Sequence, residues 1–273
     1  MKNEIQQPGK VSIARFLSNQ SIKENVEDVV GKNNIQSFVS SIVSAVQTTP
    51  DLAKCTNQSI LSVGLLMQSL NLPPSPQLGY AHFVPYKMKD GTYKATFQLS
   101  EKGMIQLAMR TGQYKKINVC DVREGEIKKY NPIFDQFEAD PIQDPVEREK
   151  AKIIGYYGFF ETVNGFSKGL YMTVDQIRKH AETYSALYRS DLQYNSNKSQ
   201  WSTNFGVMAE KTILKRLLSK YGIMSVELQK AVVSDQAAIN EDSVEYVDNE
   251  PEPHQPEVID VYAEEKEGQK DEN

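Results

Sequence analysis

Two short stretches gather side chains able to hold a nucleic-acid strand. In the first, Lys102 and Arg110 precede the run Thr111-Gly112-Gln113-Tyr114-Lys115-Lys116, so cations, amide donors and one ring fall close to a helix end. Cations and amides bind phosphate oxygens, and a ring stacks on a base whatever its identity. The other reading of the same stretch is a solvated helix end with Tyr114 in the core. In the second, Lys211, Lys215, Arg216 and Lys220 follow Glu210, which alone offsets them. At 100° per residue, Val207, Ile213, Leu214, Leu217, Leu218 and Tyr221 share one apolar face, with Lys211 and Lys215 along one flank and Arg216 and Lys220 further round. The balance is uneven for a merely solvated face and suits phosphates. Trp201, the only tryptophan, opens this run beside Lys198, Gln200 and Asn204, where it either stacks on a base or closes the core.

Catalytic patterns are weaker. No GxxxxGKS or GxxxxGKT run is present for a nucleotide phosphate, nor a GxGxxG or HExxH run. His82 and His180 read as structural or surface residues. Asp121, Glu124, Glu126 and Lys128 superficially offer the carboxylates and lysine of a metal-dependent nuclease. They crowd one strand and turn, where alternation would scatter them over both faces. No catalytic residue, metal or cofactor is expected, with Mg2+ entering only as a modulator of DNA binding.

Overall charge conceals a division. The chain of 273 residues carries a net −5, yet residues 236–273 hold 13 acids against Lys266 and Lys270, and residues 1–235 hold 29 bases against 23 acids. A basic body points to a polyanion partner and the acidic tail to a separate role. Cys55 and Cys120 form no CxxC pair and are expected reduced. The first residues lack an apolar signal segment, and no window approaches the roughly 18 apolar residues of a membrane span. The expected location is the cytoplasm.

The elements that would position these groups are partly legible. Residues 1–10 are polar and expected to be flexible. Residues 11–72 read as a helical subdomain, with Ile35, Phe38, Val39, Ile42, Val43 and Val46 at helical spacing. Residues 80–87 and 92–99 read as a hairpin joined through Asp90-Gly91. Ser100 fits an N-cap and Gly112 the residue past that helix. Strands follow at 117–122 and 153–163, with Asn164-Gly165 turning into a return strand at 166–172; residues 131–150 read as a surface excursion. A helix runs from Thr173 to about Tyr188, residues 189–200 read as a loop, a long helix spans 201–221, and a short one follows within 225–239. Beyond Asn240 no periodicity remains, and residues 236–273 are expected to be a disordered acidic tail. The fold class is α+β: an N-terminal helical part, antiparallel hairpins flanked by helices, and a long basic helix before the tail, with 11–235 as the folded core. The rings of residues 156–160 either form a stacking platform or fill the core.

Three runs in this order, GYAHFVPYK at 79–87, FQLSEKGMIQLAMRTGQY at 97–114 and WSTNFGVMAEKTILKRLLSKY at 201–221, resemble the RecT family of phage single-strand annealing proteins. The likeness spans roughly residues 10–235 and is nearest to members from Gram-positive phages and prophages. It implies a protein that binds single-stranded DNA, anneals complementary strands without ATP, retains the annealed duplex and assembles into rings or filaments. It also implies a 5′-to-3′ exonuclease partner and, through the tail, a host single-strand-binding protein. The resemblance carries Lys102, Arg110, Lys115, Lys116, Lys198, Lys211, Lys215 and Lys220 over as groove cations; Gln113, Tyr114, Trp201, Asn204 and Arg216 join them from the residue reading. A protective binder that does not anneal is the alternative. The helical N-terminal part or its flanks are the expected subunit contact.

Overall fold

The computed structural model describes residues 11–88, 90–239 and 244–246. Its N-terminal third is helical: α1 (Ile13–Leu17), α2 (Gln20–Val30), α3 (Ile35–Thr48) and α4 (Asn57–Ser69). Short polar caps start them; the Ser12, Asn19 and Thr56 side chains each accept a backbone N–H of the first turn. These helices do not enclose a core of their own. Leu17, Phe38, Ile42 and Met67 merge with Phe97 and Leu99 of the next hairpin and with Leu214 and Leu217 far along the chain.

That hairpin is β1 (Ala81–Lys87) and β2 (Tyr93–Leu99), paired antiparallel from Ala81 opposite Leu99 to Lys87 opposite Tyr93. Ser100 then caps α5 (Glu101–Arg110) by accepting the Gly103 N–H. A Cβ at Gly103 would stand 2.1 Å from the Tyr80 carbonyl oxygen, so glycine is what lets α5 lie against the start of β1.

The second sheet has the order β3-β6-β7, from β3 (Tyr114–Arg123), β6 (Ile153–Thr162) and β7 (Ser167–Thr173). Its β6–β7 turn is the expected Asn164-Gly165, with the Asn164 carboxamide accepting the Phe166 N–H. Between β3 and β6 the chain departs from a plain surface excursion. It forms a second hairpin, β4 (Ile127–Asn131) with β5 (Gln136–Ala139), and then α6 (Pro145–Lys150). Two carboxylates of the nuclease-like run are spent here: Arg148 of α6 pairs with Glu126 at 2.7 Å and with Asp121 at 3.4 Å, and Arg123 pairs with Asp121.

The helical expectations after β7 need three corrections. The first helix ends early, as α7 (Val174–Tyr184), because Ser185 turns extended and caps α8 (Ala186–Tyr194). The stretch read as a loop is therefore helical to Tyr194, where Asn195 closes it with φ 49°. Buried Asp191 organises the connection to the next helix by accepting the N–H groups of Lys198 and Ser199 and the hydroxyls of Ser196 and Ser202. The long helix is broken at Asn204 into α9 (Gln200–Thr203) and α10 (Phe205–Tyr221). Val207, assigned to its apolar face, is 60% exposed.

Helix α10 is the spine. Leu214, Leu217 and Leu218 enter the main core, while Met208, Ala209 and Ile213 join a second cluster with Tyr156, Ile177, Tyr188 and Trp201. Gly158 makes the seat: a Cβ there would lie 2.6 Å from the Ile213 methyl. After α11 (Val226–Val233), β8 (Ala237–Ile239) pairs with β2 and with β9 (Val244–Tyr246). Ordered chain thus passes the boundary expected at residue 235; the remainder of the expected tail, and residues 1–10, lie outside the described residues.

Candidate nucleic-acid interface

The sheet brings one group of cations together at the β6–β7 turn end. A bulge between Tyr114 and Lys116 sets both Lys115 and Lys116 against Glu161 of β6. Their ammoniums stand 2.7 and 3.8 Å from its carboxylate, yet the two side chains remain 60% and 66% exposed. The hydrogen bond from Lys115, with the neighbouring charges, keeps the Glu161 carboxyl below its usual range. The adjacent β7 row carries Lys168, opposite Phe160. Its ammonium sits 4.7 Å from the Tyr221 ring centre, and that of Lys220 lies 5.5 Å from the same ring. Exposed Gln113 precedes β3, its carbonyl accepting the Val163 N–H of the neighbouring turn. Lysines, an amide and a partly exposed ring thus share one end of the sheet, the combination that binds a strand through phosphates and base faces.

A second group lies on the helices. The Arg178 guanidinium stands 5.8 Å from the Phe205 ring, and Arg216 approaches the His180 ring nitrogen Nδ1 at 3.4 Å. Lys198 and Asn204 are exposed nearby in sequence, with the Asn204 amide donating to the Gln200 side chain.

Several expected site residues are placed otherwise. Lys211 is buried, its ammonium 3.0 Å from the equally buried Asp235, and Lys215 reaches the other oxygen of that carboxylate at 3.2 Å. The Lys211 ammonium is thereby enclosed, while the Lys215 side chain remains 35% exposed. Tyr114 is core: its ring packs edge-on against Phe160 and its hydroxyl donates to the Ile223 carbonyl. Trp201, 7% exposed, closes the second cluster among Tyr188, Phe205 and His180. Arg110 donates to the Leu70 and Asn71 carbonyls, capping the end of α4, and Lys102 donates to the Leu78 carbonyl beside the Tyr80 ring. Both tether the proline-rich connection to α5 while staying exposed. Lys168 and Arg178 escape sequence reasoning because their ring partners, Tyr221 and Phe205, are distant in the chain. The one signal in the sequence is that Lys168 lies just past the Asn-Gly turn.

Glu210 balances α10 less than its formal charge suggests. Burial first, then the charges of Glu101 and Asp121, push its carboxyl up to about 7. The folded state therefore holds this proton through pH values at which the unfolded chain releases it, and stability falls as pH rises from about 4.5 through 7. Glu210→Gln is expected to flatten that fall, stabilising the protein at pH 8 by about 1 kcal/mol after discounting for exposure and leaving it unchanged at pH 5. Thermal unfolding of both proteins across this range measures it; parallel curves would show a carboxyl that titrates normally.

Comparison with known proteins adds the family context. Residues 36–253 match the model of the RecT family. The chain is 40% identical over 254 residues to the uncharacterized protein YqaK of Bacillus subtilis (strain 168), spanning 90% of this chain and 82% of that one. It is 27% identical over 228 residues to protein RecT of Escherichia coli (strain K12), spanning 82% and 80% respectively.

Proposed function

This chain belongs to the RecT family, and on that premise we propose that it binds single-stranded DNA and anneals complementary strands without consuming ATP. The observation that carries the reading is the family match across the ordered body, the same body that exposes Lys115, Lys116 and Lys220 at one sheet end. Two single strands repel as dense lines of phosphate. A basic surface neutralises the first strand and leaves its bases free to sample a second, so sequence specificity comes from base pairing and base-edge readout by the protein is unnecessary. The chain works as a ring or filament in the cytoplasm of a bacterial host; among the described residues no helix is long and apolar enough to cross a membrane. The single strand is supplied by a 5′-to-3′ exonuclease, and Mg2+ acts only as a modulator. Val11 and Val29, 48% and 51% exposed, are the apolar positions through which the N-terminal helices would meet a neighbouring subunit. A contact there is best tested by Val11→Asp/Val29→Asp, since removing residues 1–30 would also strip buried Leu17 and Val26 from the core.

The test is annealing of a fluorescent oligonucleotide to a quencher-labelled complement, with no nucleotide and the complement added last. Rapid quenching, retained protein and rings or filaments in negative stain are expected. Binding without accelerated pairing would instead establish a protective single-strand binder.

The acidic residues beyond 236 give a further expected result. A strongly negative segment competes with DNA for a basic surface or recruits a host single-strand-binding protein. Deleting residues 240–273 is expected to raise apparent DNA affinity at low salt, with the gain vanishing at high salt. Equal affinities across the titration would leave recruitment as the tail's role.

A further inference from the structure

A cavity of about 320 Å3 opens where the β4–β5 hairpin reaches over the β7 edge of the three-stranded sheet. The hairpin is clamped in three places. Phe137 stacks on Tyr157 with ring centres 4.1 Å apart and planes 11° apart, Tyr130 packs edge-on against Tyr171 at 5.1 Å, and Asp135 pairs with Lys168 at 2.7 Å. Asp135 itself holds φ 54°, the left-handed region that Asp tolerates in a turn. The clamps use the faces of Tyr157, Phe137 and Tyr171. They leave Phe159 and Tyr221 lining the same cavity, and Tyr221 is 37% exposed. Lys168 stands at the Tyr221 ring and Lys220 beside it, so the ring wall meets the cationic end of the sheet.

Resting on the single-strand-binding reading above, we propose that this cavity seats one nucleobase of the bound strand against Phe159 and Tyr221, with the adjoining phosphate at Lys168 and Lys220. Three features favour a base over a purely apolar guest. The volume is at the lower end of pockets that enclose a small planar ligand. The polar groups at its walls, among them Asn131, Asp135 and Gln136, match the mixed donor and acceptor edge of a base. Lys168 and Lys220 stand over the Tyr221 ring, 4.7 and 5.5 Å from its centre, so positive charge for a phosphate gathers at one of the cavity's own rings. Stacking is indifferent to base identity, so the cavity anchors the strand without selecting sequence. It also divides the strand: one base is held by each subunit while its neighbours stay free to pair.

The test uses the full-length protein with oligothymidylate carrying 5-iodouracil, irradiated and mapped by mass spectrometry. Cross-links at Phe159 or Tyr221 are expected. Phe159→Leu/Tyr221→Leu should abolish them and weaken binding about 10-fold, with an unchanged far-ultraviolet spectrum and melting temperature, whereas Tyr194→Leu, a 71% exposed tyrosine on α8, should change neither. Binding by the wild type with cross-links confined to other segments would overturn the cavity assignment and leave the annealing reading intact. No binding by the wild type would overturn both. The other conceivable occupant is the β4–β5 tip of a second copy, where Ile133 and Phe134 are 85% and 72% exposed. Loss of assembly in both Phe159→Leu/Tyr221→Leu and Ile133→Ser/Phe134→Ser, with undiminished single-strand affinity and no cross-link in the cavity, would assign the space to that tip instead.

Discussion

Asp235→Ala is expected to destabilise the fold by about 3–5 kcal/mol, the range for breaking a buried ion pair from one side. One oxygen of this carboxylate accepts the Leu99 N–H and the Lys211 ammonium, both at 3.0 Å, and the other accepts the Lys215 ammonium at 3.2 Å. Burial opposes its ionisation, but the two lysines and the N–H together hold it below the ordinary carboxylate range. Its stabilisation is therefore present above about pH 4 and lost as the pH falls below the unfolded value. Removing the carboxylate leaves Lys211, whose side chain is 8% exposed, as a buried cation without its counter-ion, and orphans an N–H at the end of β2. Urea unfolding at pH 7 measures the loss. Lys211→Met/Asp235→Ala should recover part of it, because the stranded charge is gone, and the double-mutant cycle should give a coupling above about 1 kcal/mol. A loss below that size for Asp235→Ala alone would mean that Lys211 reaches water once its partner is removed.

The same pair shows where sequence reading stops. The β1–β2 hairpin, the Ser100 cap and the Asn164-Gly165 turn are legible because each is decided by residues within a few positions of one another. The fate of Lys211 is decided by a carboxylate 24 positions on, and that of Arg110 by carbonyls about 40 positions back. On helical spacing alone both look like free surface cations. The part of α8 past Tyr188 reads as a loop in the sequence because only Tyr188 and Asp191 of the helix are buried, which leaves no apolar stripe to count. The β4–β5 hairpin escapes notice for a related reason. Its strands are mostly exposed, and what fixes them is Phe137 on Tyr157 and Asp135 on Lys168, contacts outside the segment. The rings of residues 156–160 divide between two surroundings: Tyr156 and Phe160 are core, while Tyr157 stacks on Phe137 and lines the cavity with Phe159. Only the pairing register separates the two sets.

Lys115→Gln/Lys116→Gln/Lys220→Gln is expected to weaken single-strand binding by about 10- to 100-fold near 0.1 M salt and to lower the slope of log affinity against log salt by about 1.5–2, at about 0.7 per phosphate lost. Lys115 and Lys116 share Glu161, so the pair supplies one net positive charge and Lys220 a second. Losing both strand lysines also leaves an exposed carboxylate facing the phosphates. Lys211→Met removes one formal charge from the same body but withdraws nothing from the surface, since its ammonium already faces Asp235. It should leave the slope unchanged in protein that remains folded. Titrations of the triple variant, Lys211→Met and the wild type over about 50–300 mM salt thus separate two accounts of the basic body. If the total charge of residues 1–235 were what attracts DNA, Lys211→Met would shift the slope by about a third of the triple variant's change. If position governs, only the lysines at the sheet end will move it, and a triple variant with the wild-type slope would transfer the interface to the group around Arg178 and Arg216.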